Sequence, residues 1–159
     1  MSASLEDFES PAEIIPDTHA IRELLKEENS WVIDAIDDIC HVLVIPKLHS
    51  EFRVHVEQYP MLAVSLKTRL RGKFIANYTP HIRIPEDVER TLKQEGASQN
   101  DLIVFKVAYE RSQKTRKHGI VVSNDPAFHH ASGILQRYSI LVVGVNNFLR
   151  ILKKFASAR

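Results

Sequence analysis

The sequence predicts an α/β domain built on a parallel sheet that helices cover on both faces. Three observations carry that prediction. Short apolar runs such as His41 to Ile45 (HVLVI), Ile120-Val121-Val122 and Ile140 to Val145 lack the alternation of a sheet with one wet face, so each strand is expected to be buried on both sides. Segments with apolar residues at helical spacing stand between these runs, which is the order that parallel strands with crossover helices require. At 159 residues, 44% of them apolar and 26% charged, the chain is long enough for one domain with a sizeable core. A single domain over 1–159 is expected, with residues 1–10 as a flexible tail.

Taken in order, Glu13-Ile14-Ile15 reads as a strand ended by Pro16. Ile21, Leu24 and Leu25 then recur at helical spacing, in a helix expected to continue past Trp31, Val32, Ile36 and Ile39. The HVLVI run is the second strand, closed by Pro46, and Leu48, Phe52, Val56 and Tyr59 mark the face of the next helix. A helix is expected over Met61 to Tyr78, with Lys67, Arg69, Arg71 and Lys73 between its apolar residues. A loop around His81 to Pro85 leads to a short charged helix over Glu86 to Gln94, ended at Gly96. Ser98 to Asp101 matches a capping box, and Leu102 to Tyr109 (LIVFKVAY) is apolar nearly all round, as in a helix packed deep in a domain. Ile120 to Ser123 and Ile140 to Val145 are the remaining strands, the latter followed by a helix with Phe148, Leu149, Leu152 and a basic tail.

Composition narrows the function classes. Cys40 is the single cysteine and has no internal partner, no stretch approaches the ~20 apolar residues of a membrane span, and the opening MSASLEDFES lacks the features of a signal peptide. A cytosolic protein without membrane attachment is expected. Residues 1–60 hold 4 Lys/Arg against 13 Asp/Glu, a balance of −9, whereas residues 61–159 hold 17 against 7, a balance of +10. That asymmetry fits an anionic partner for the basic part, and equally a lopsided but inert surface.

In open parallel sheets ligands bind beyond the carboxyl ends of the strands, where loops meet helix N-termini. Four acids fall at that edge: Asp17 after the first strand, Glu51 in the first turns of the helix after the second, Asp101 at the start of the apolar helix, and Asp125 after the Ile120 strand. Each has a plain structural explanation. Asp17, Asp101 and Asp125 could cap the helices that follow them, and Asp125-Pro126 is a common helix start. Glu51 fits that explanation less well, because Leu48, Phe52, His55 and Val56 place it at the margin of a core stripe, where a buried acid needs a partner. Four carboxylates on one edge would hold their protons tightly unless a cation were present. Oxygen ligands alone suit Mg²⁺ or Mn²⁺, and such an ion orients and activates water against a phosphodiester.

With these residues in place, the chain resembles the PIN-domain family of nucleases, which includes the toxin ribonucleases of toxin–antitoxin pairs. Asp17-Thr18 is similar to the family's opening strand-end motif, and Glu51 falls at its acid in the helix after the second strand. Asp101 with Leu102-Ile103-Val104 and Ala108 resembles its acid-led apolar helix, and Ser123-Asn124-Asp125 with Phe128 resembles its later strand end. The resemblance runs from Ile14 to about Leu152. It implies a three-layer α/β/α sandwich with a central parallel sheet, and a Mg²⁺- or Mn²⁺-dependent endoribonuclease. Asp17, Glu51, Asp101 and Asp125 would hold the metal, and Thr18, Ser123 and Asn124 would support them. It also implies an antitoxin or other protein partner and pairing into homodimers. The chain departs from the pattern at Pro16, where an apolar residue is usual, at His19, where a small polar residue is common, and at Ala127, where a further acid stands.

Lys67, Arg69, Arg71 and Lys73 are the candidate contacts to an RNA backbone, the alternative being a solvated helix face. Arg111 to Lys117 reads better as a helix C-terminus, where cations suit the macrodipole. The histidines, His129-His130 among them, form no H-x-x-x-H pair on one helix, so zinc is not expected. Two other functions remain open from the sequence. One is a PIN-like module that binds RNA or protein without cutting. The other is an unrelated doubly wound binding domain, for which no G-x-G-x-x-G loop is present.

Overall fold

The computed structural model describes residues 12–24, 26–29, 31, 40–44, 74–77 and 83–157. Along these residues the chain forms β1 (Ala12–Pro16), α1 (Thr18–Leu24), a 3₁₀ turn (Glu27–Asn29), β2 (Cys40–Val44), β3 (Phe74–Asn77), α2 (Glu86–Gln94) and α3 (Gln99–Thr115). It continues through β4 (Gly119–Val122), α4 (Pro126–His130), α5 (Ser132–Arg137), β5 (Ile140–Val143) and α6 (Val145–Ser157). The protein is α/β, with the strands in the order β3-β2-β1-β4-β5 and every neighbouring pair parallel.

The apolar runs do what a doubly covered strand must do: successive residues feed opposite faces. Ile14, Val42, Ile120, Val122, Leu141 and Val143 join one buried cluster, which Ala20 and Leu24 of α1 and Phe148, Ile151 and Leu152 of α6 complete. Ile15, Leu43, Val121, Ile140 and Val142 join a second, with Val88 and Leu92 of α2, Val104, Phe105, Val107 and Ala108 of α3, Phe128 of α4 and Leu135 of α5. Leu102 to Tyr109 is apolar nearly all round because Val104, Phe105, Val107 and Ala108 are buried in this cluster and Leu102, Ile103 and Tyr109 pack against it partly buried. Close approach there explains Gly119, since a Cβ at that position would stand 2.7 Å from the Ala108 carbonyl oxygen. Arg111 of α3 forms a bidentate ion pair with Glu13 of β1 and Lys114 pairs with Glu110, so these two cations serve the fold.

Three expectations are corrected. Phe74–Asn77 is a strand, not the end of a helix from Met61 to Tyr78: Phe74-Ile75-Ala76 fits both periodicities, and pairing of Val42 with Phe74 and Val44 with Asn77 decides between them. The first helix stops at Leu24 instead of running past Trp31, because the Glu23 carbonyl accepts from Lys26 N–H at 3.3 Å and from the Asn29 side-chain amide at 2.9 Å. The last strand also ends earlier, at Val143, with α6 starting at Val145. Glu51, Lys67, Arg69, Arg71 and Lys73, and the helix after β2, lie outside the described residues.

Pro16 closes β1, in register with Val122, and is buried. Its missing N–H falls on the last residue of a central strand, and the next amide, Asp17 N–H, donates to the Val122 carbonyl at 3.1 Å, so the pairing with β4 keeps its last bond. Among the described residues no helix is long and apolar enough to cross a membrane.

Candidate functional site

The sheet order reverses between β1 and β4: from β1 the chain moves outward to β2 and β3, and from β4 to β5 on the other side. Such a switch point leaves a crevice beyond the strand ends, because the connections on its two sides diverge. Asp17 follows β1 and Asp125 follows β4 at that crevice, while Asp101 reaches it from the first turn of α3.

Each of these acids is a helix cap. Asp17 Oδ1 accepts from Ala20 N–H at 2.7 Å, Asp125 Oδ1 accepts from Ala127 N–H at 2.9 Å, and Asp101 Oδ2 accepts from Ser98 N–H at 2.9 Å. The last bond closes a full capping box, for the Ser98 hydroxyl takes the Asp101 N–H at 3.1 Å. The structural explanation of each acid therefore holds. It does not explain why caps of three separate helices interact: Asp125 acts electrostatically on both Asp17 and Asp101, and lies within hydrogen-bonding reach of Asp101.

The crowding is visible in the protonation equilibria. Burial pushes the Asp101 carboxyl up to about 6, against the pull of the Ser98 N–H, and the adjacent Asp125 carboxyl pushes in the same direction as burial. Asp17 is raised too, first by burial and further by Asp125, although the Ser123 hydroxyl, the Ala20 N–H and His19 favour its charged form. A raised carboxyl means that the folded state keeps a proton which the unfolded chain has already released. The stability of the metal-free protein is therefore expected to fall as pH rises from about 4 to about 6 and to stay lower above that. A rise from about 4 to about 6 for Asp101 corresponds to nearly 3 kcal/mol, and solvent screening at the crevice reduces this to about 1–2 kcal/mol. Urea unfolding at about pH 4.5 and pH 7.5 is expected to show that slope in the wild type and a smaller one in Asp101→Asn, which keeps the cap acceptor and leaves the Asp17 contribution.

Ser123 joins the two halves of the crevice. It is fully buried at 0% exposure, its hydroxyl donates to Asp17 Oδ2, and the same oxygen accepts the Asp125 N–H at 3.0 Å. Asn124 serves a neighbouring helix instead, since its Oδ1 accepts Val145 N–H at 2.9 Å and so caps α6. Thr18 begins α1 beside Asp17. His19 is exposed, with Nδ1 3.3 Å from the Arg22 guanidinium. His129, given no role by the sequence, sets its Nε2 2.7 Å from the Ser123 carbonyl oxygen. A contact between a ring and a carbonyl six residues earlier depends on the turn between them, and residue spacing does not report it.

The crevice thus brings together Asp17, Asp101 and Asp125 of the predicted acids, with Ser123 as their link, while Glu51 lies outside the described residues. Among the described residues no three His, Cys, Asp or Glu side chains are arranged to hold a metal ion by themselves. What the acids offer chemically is a set of oxygen ligands, two of which, Asp17 and Asp101, hold their protons more tightly than a free carboxyl, and such groups accept either protons or a hard cation. Ala127 is buried at 1% exposure on α4. No family model matches the chain, and no curated protein sequence matches it.

Proposed function

We propose that the chain is a PIN-like domain, a three-layer α/β/α sandwich with its two helical layers over the two buried clusters, and that it hydrolyses RNA phosphodiesters at the β1/β4 crevice. The observation that supports this most is the meeting of Asp17, Asp101 and Asp125 from three separate segments at a sheet switch point, at the cost of a raised Asp101 carboxyl. The donors fit a hard divalent cation by their chemistry, being oxygen-only and acidic. Asp17, Asp101 and Asp125, joined by Glu51, would hold Mg²⁺ or Mn²⁺. When bound, the ion supplies a water of lowered pKa and stabilises charge on the leaving oxygen.

The protein's own groups do the rest. Ser123 keeps Asp17 oriented through its hydroxyl and fixes the Asp125 backbone with the same oxygen, so that two acids from strands adjacent in the sheet share one anchor. The cap bonds to Ala20, Ala127 and Ser98 hold one oxygen of each carboxylate and leave lone pairs free for the cation. Lys67, Arg69, Arg71 and Lys73 would meet the RNA backbone.

A second reading is a PIN-like module that binds RNA or protein without cleaving. The burial of Ala127 favours it, because an acid is missing from the family's pattern there. The test is incubation of a mixed single-stranded RNA pool with the purified protein in Mn²⁺ and in EDTA. Cleavage in Mn²⁺ that EDTA stops is the expected result. Intact RNA under both conditions, from folded protein that still retains RNA on a filter, would favour the second reading.

A further inference from the structure

We propose that His129 is a positioning residue of the carboxylate site, acting through Ser123; the inference rests on reading that site as one for a divalent cation. A carbonyl oxygen only accepts, so the bond at 2.7 Å makes Nε2 of His129 the protonated nitrogen that donates to Ser123. Every polar atom of Ser123 is then committed. Its N–H donates to the Val143 carbonyl at 3.0 Å, its hydroxyl spans Asp17 and the Asp125 N–H, and its carbonyl takes the His129 ring. The first bond is sheet ladder and the next two define the acids. The fourth is a side-chain contact from α4, and it closes the Ser123-Asn124-Asp125 turn from the far side.

The ring is held in a built position. A Cβ added at Gly144 would stand 3.2 Å from Asn124 Oδ1 and 3.9 Å from His129 Cε1, so the imidazole lies across the turn next to the start of α6. Asp125 is bracketed as a result: its Oδ1 starts α4 by capping Ala127, and His129, near the end of the same short helix, returns to the residue two before it. Freeing the Ser123 carbonyl lets the turn rotate, and with it the hydroxyl that orients Asp17. Groups that orient metal ligands through a hydrogen bond act in this way, without touching the ion.

The test is Mn²⁺ affinity by calorimetry, read beside thermal unfolding, for wild type, His129→Gln, His129→Leu and His129→Asn. Glutamine carries an N–H donor to about the reach of Nε2, whereas leucine has none and asparagine is too short; the ring is exposed, so all three are expected to fold. His129→Leu and His129→Asn are expected to bind Mn²⁺ about tenfold more weakly, and His129→Gln to stay within about threefold of wild type. Unchanged affinity in folded His129→Leu, or a loss in His129→Gln as large as in His129→Asn, would overturn the inference. Wild type that takes up no Mn²⁺ would overturn the cation-site reading and this inference with it, an outcome distinct from the other two.

Discussion

RNA cleavage by the Asp17→Asn/Asp125→Asn double variant is expected to fall by at least about a thousandfold, or ~4 kcal/mol of transition-state stabilisation. The change removes two negative charges from the crevice and little else. Each asparagine keeps a side-chain carbonyl oxygen for the cap bond that Asp17 makes to Ala20 and Asp125 makes to Ala127. Ser123 is able to turn its hydroxyl from donor to acceptor against the new amide. The fold is therefore expected to stay within about 1 kcal/mol of wild type, and the relief of like-charge crowding offsets part of that change. Gel assays of RNA cleavage beside urea unfolding separate the two effects. Retained cleavage in the folded variant would show that the acids serve as caps alone.

The largest stability effect is expected at Phe128, which lies at 0% exposure in the cluster formed with Val121, Val142 and Leu135. Phe128→Ala removes the ring and leaves a cavity that a close-packed sheet and helix fill only in part, at a cost of about 3–5 kcal/mol. For a domain of this size each kcal/mol corresponds to roughly 2–4 °C in Tm, so a fall of about 10 °C is expected by calorimetry. Trp31 provides the contrast. Although larger, it is 36% exposed and encloses no cavity when truncated, and Trp31→Ala is expected to cost only about 1–2 kcal/mol. Similar losses at the two positions would contradict the assignment of the core.

The core was legible because its signal is repeated at every level. Ile14-Ile15, Ile120-Val121-Val122 and the Ile140 run lack alternation for one physical reason, burial on both faces, and each forms a strand of the parallel sheet. Local chemistry was legible as well: Ser98 and Asp101 form the capping box that their spacing announces, and Asp125-Pro126 starts α4. Short apolar segments were not. Phe74-Ile75-Ala76 satisfies a helix and a strand template alike, and its pairing with β2, distant in sequence, selects the strand. The end of the first helix depends on the Asn29 side chain folding back to Glu23, a contact that competes with helix propensity and leaves no mark in the apolar pattern.

Within the crevice, the acids at the strand ends could be read from position alone, since parallel strands bring their carboxyl ends to one edge. Their mutual approach could not. The rise in the Asp101 carboxyl depends on how deeply α3 starts beside α4, which is a matter of packing and not of spacing. His129 was invisible for a related reason, as its role depends on the backbone course of the Ser123 turn.

The most direct measurement is a calorimetric titration of Mn²⁺ into wild type and into Asp17→Asn/Asp125→Asn, at about pH 5 and about pH 7.5. Saturable binding is expected in the wild type, weaker at the lower pH because protons then compete for the raised Asp101 and Asp17 carboxyls, and absent in the double variant at both. Folded wild type that gives no binding heat and no shift in unfolding temperature with Mn²⁺, or a double variant that binds as tightly as wild type, would contradict the account and leave the three acids as helix caps.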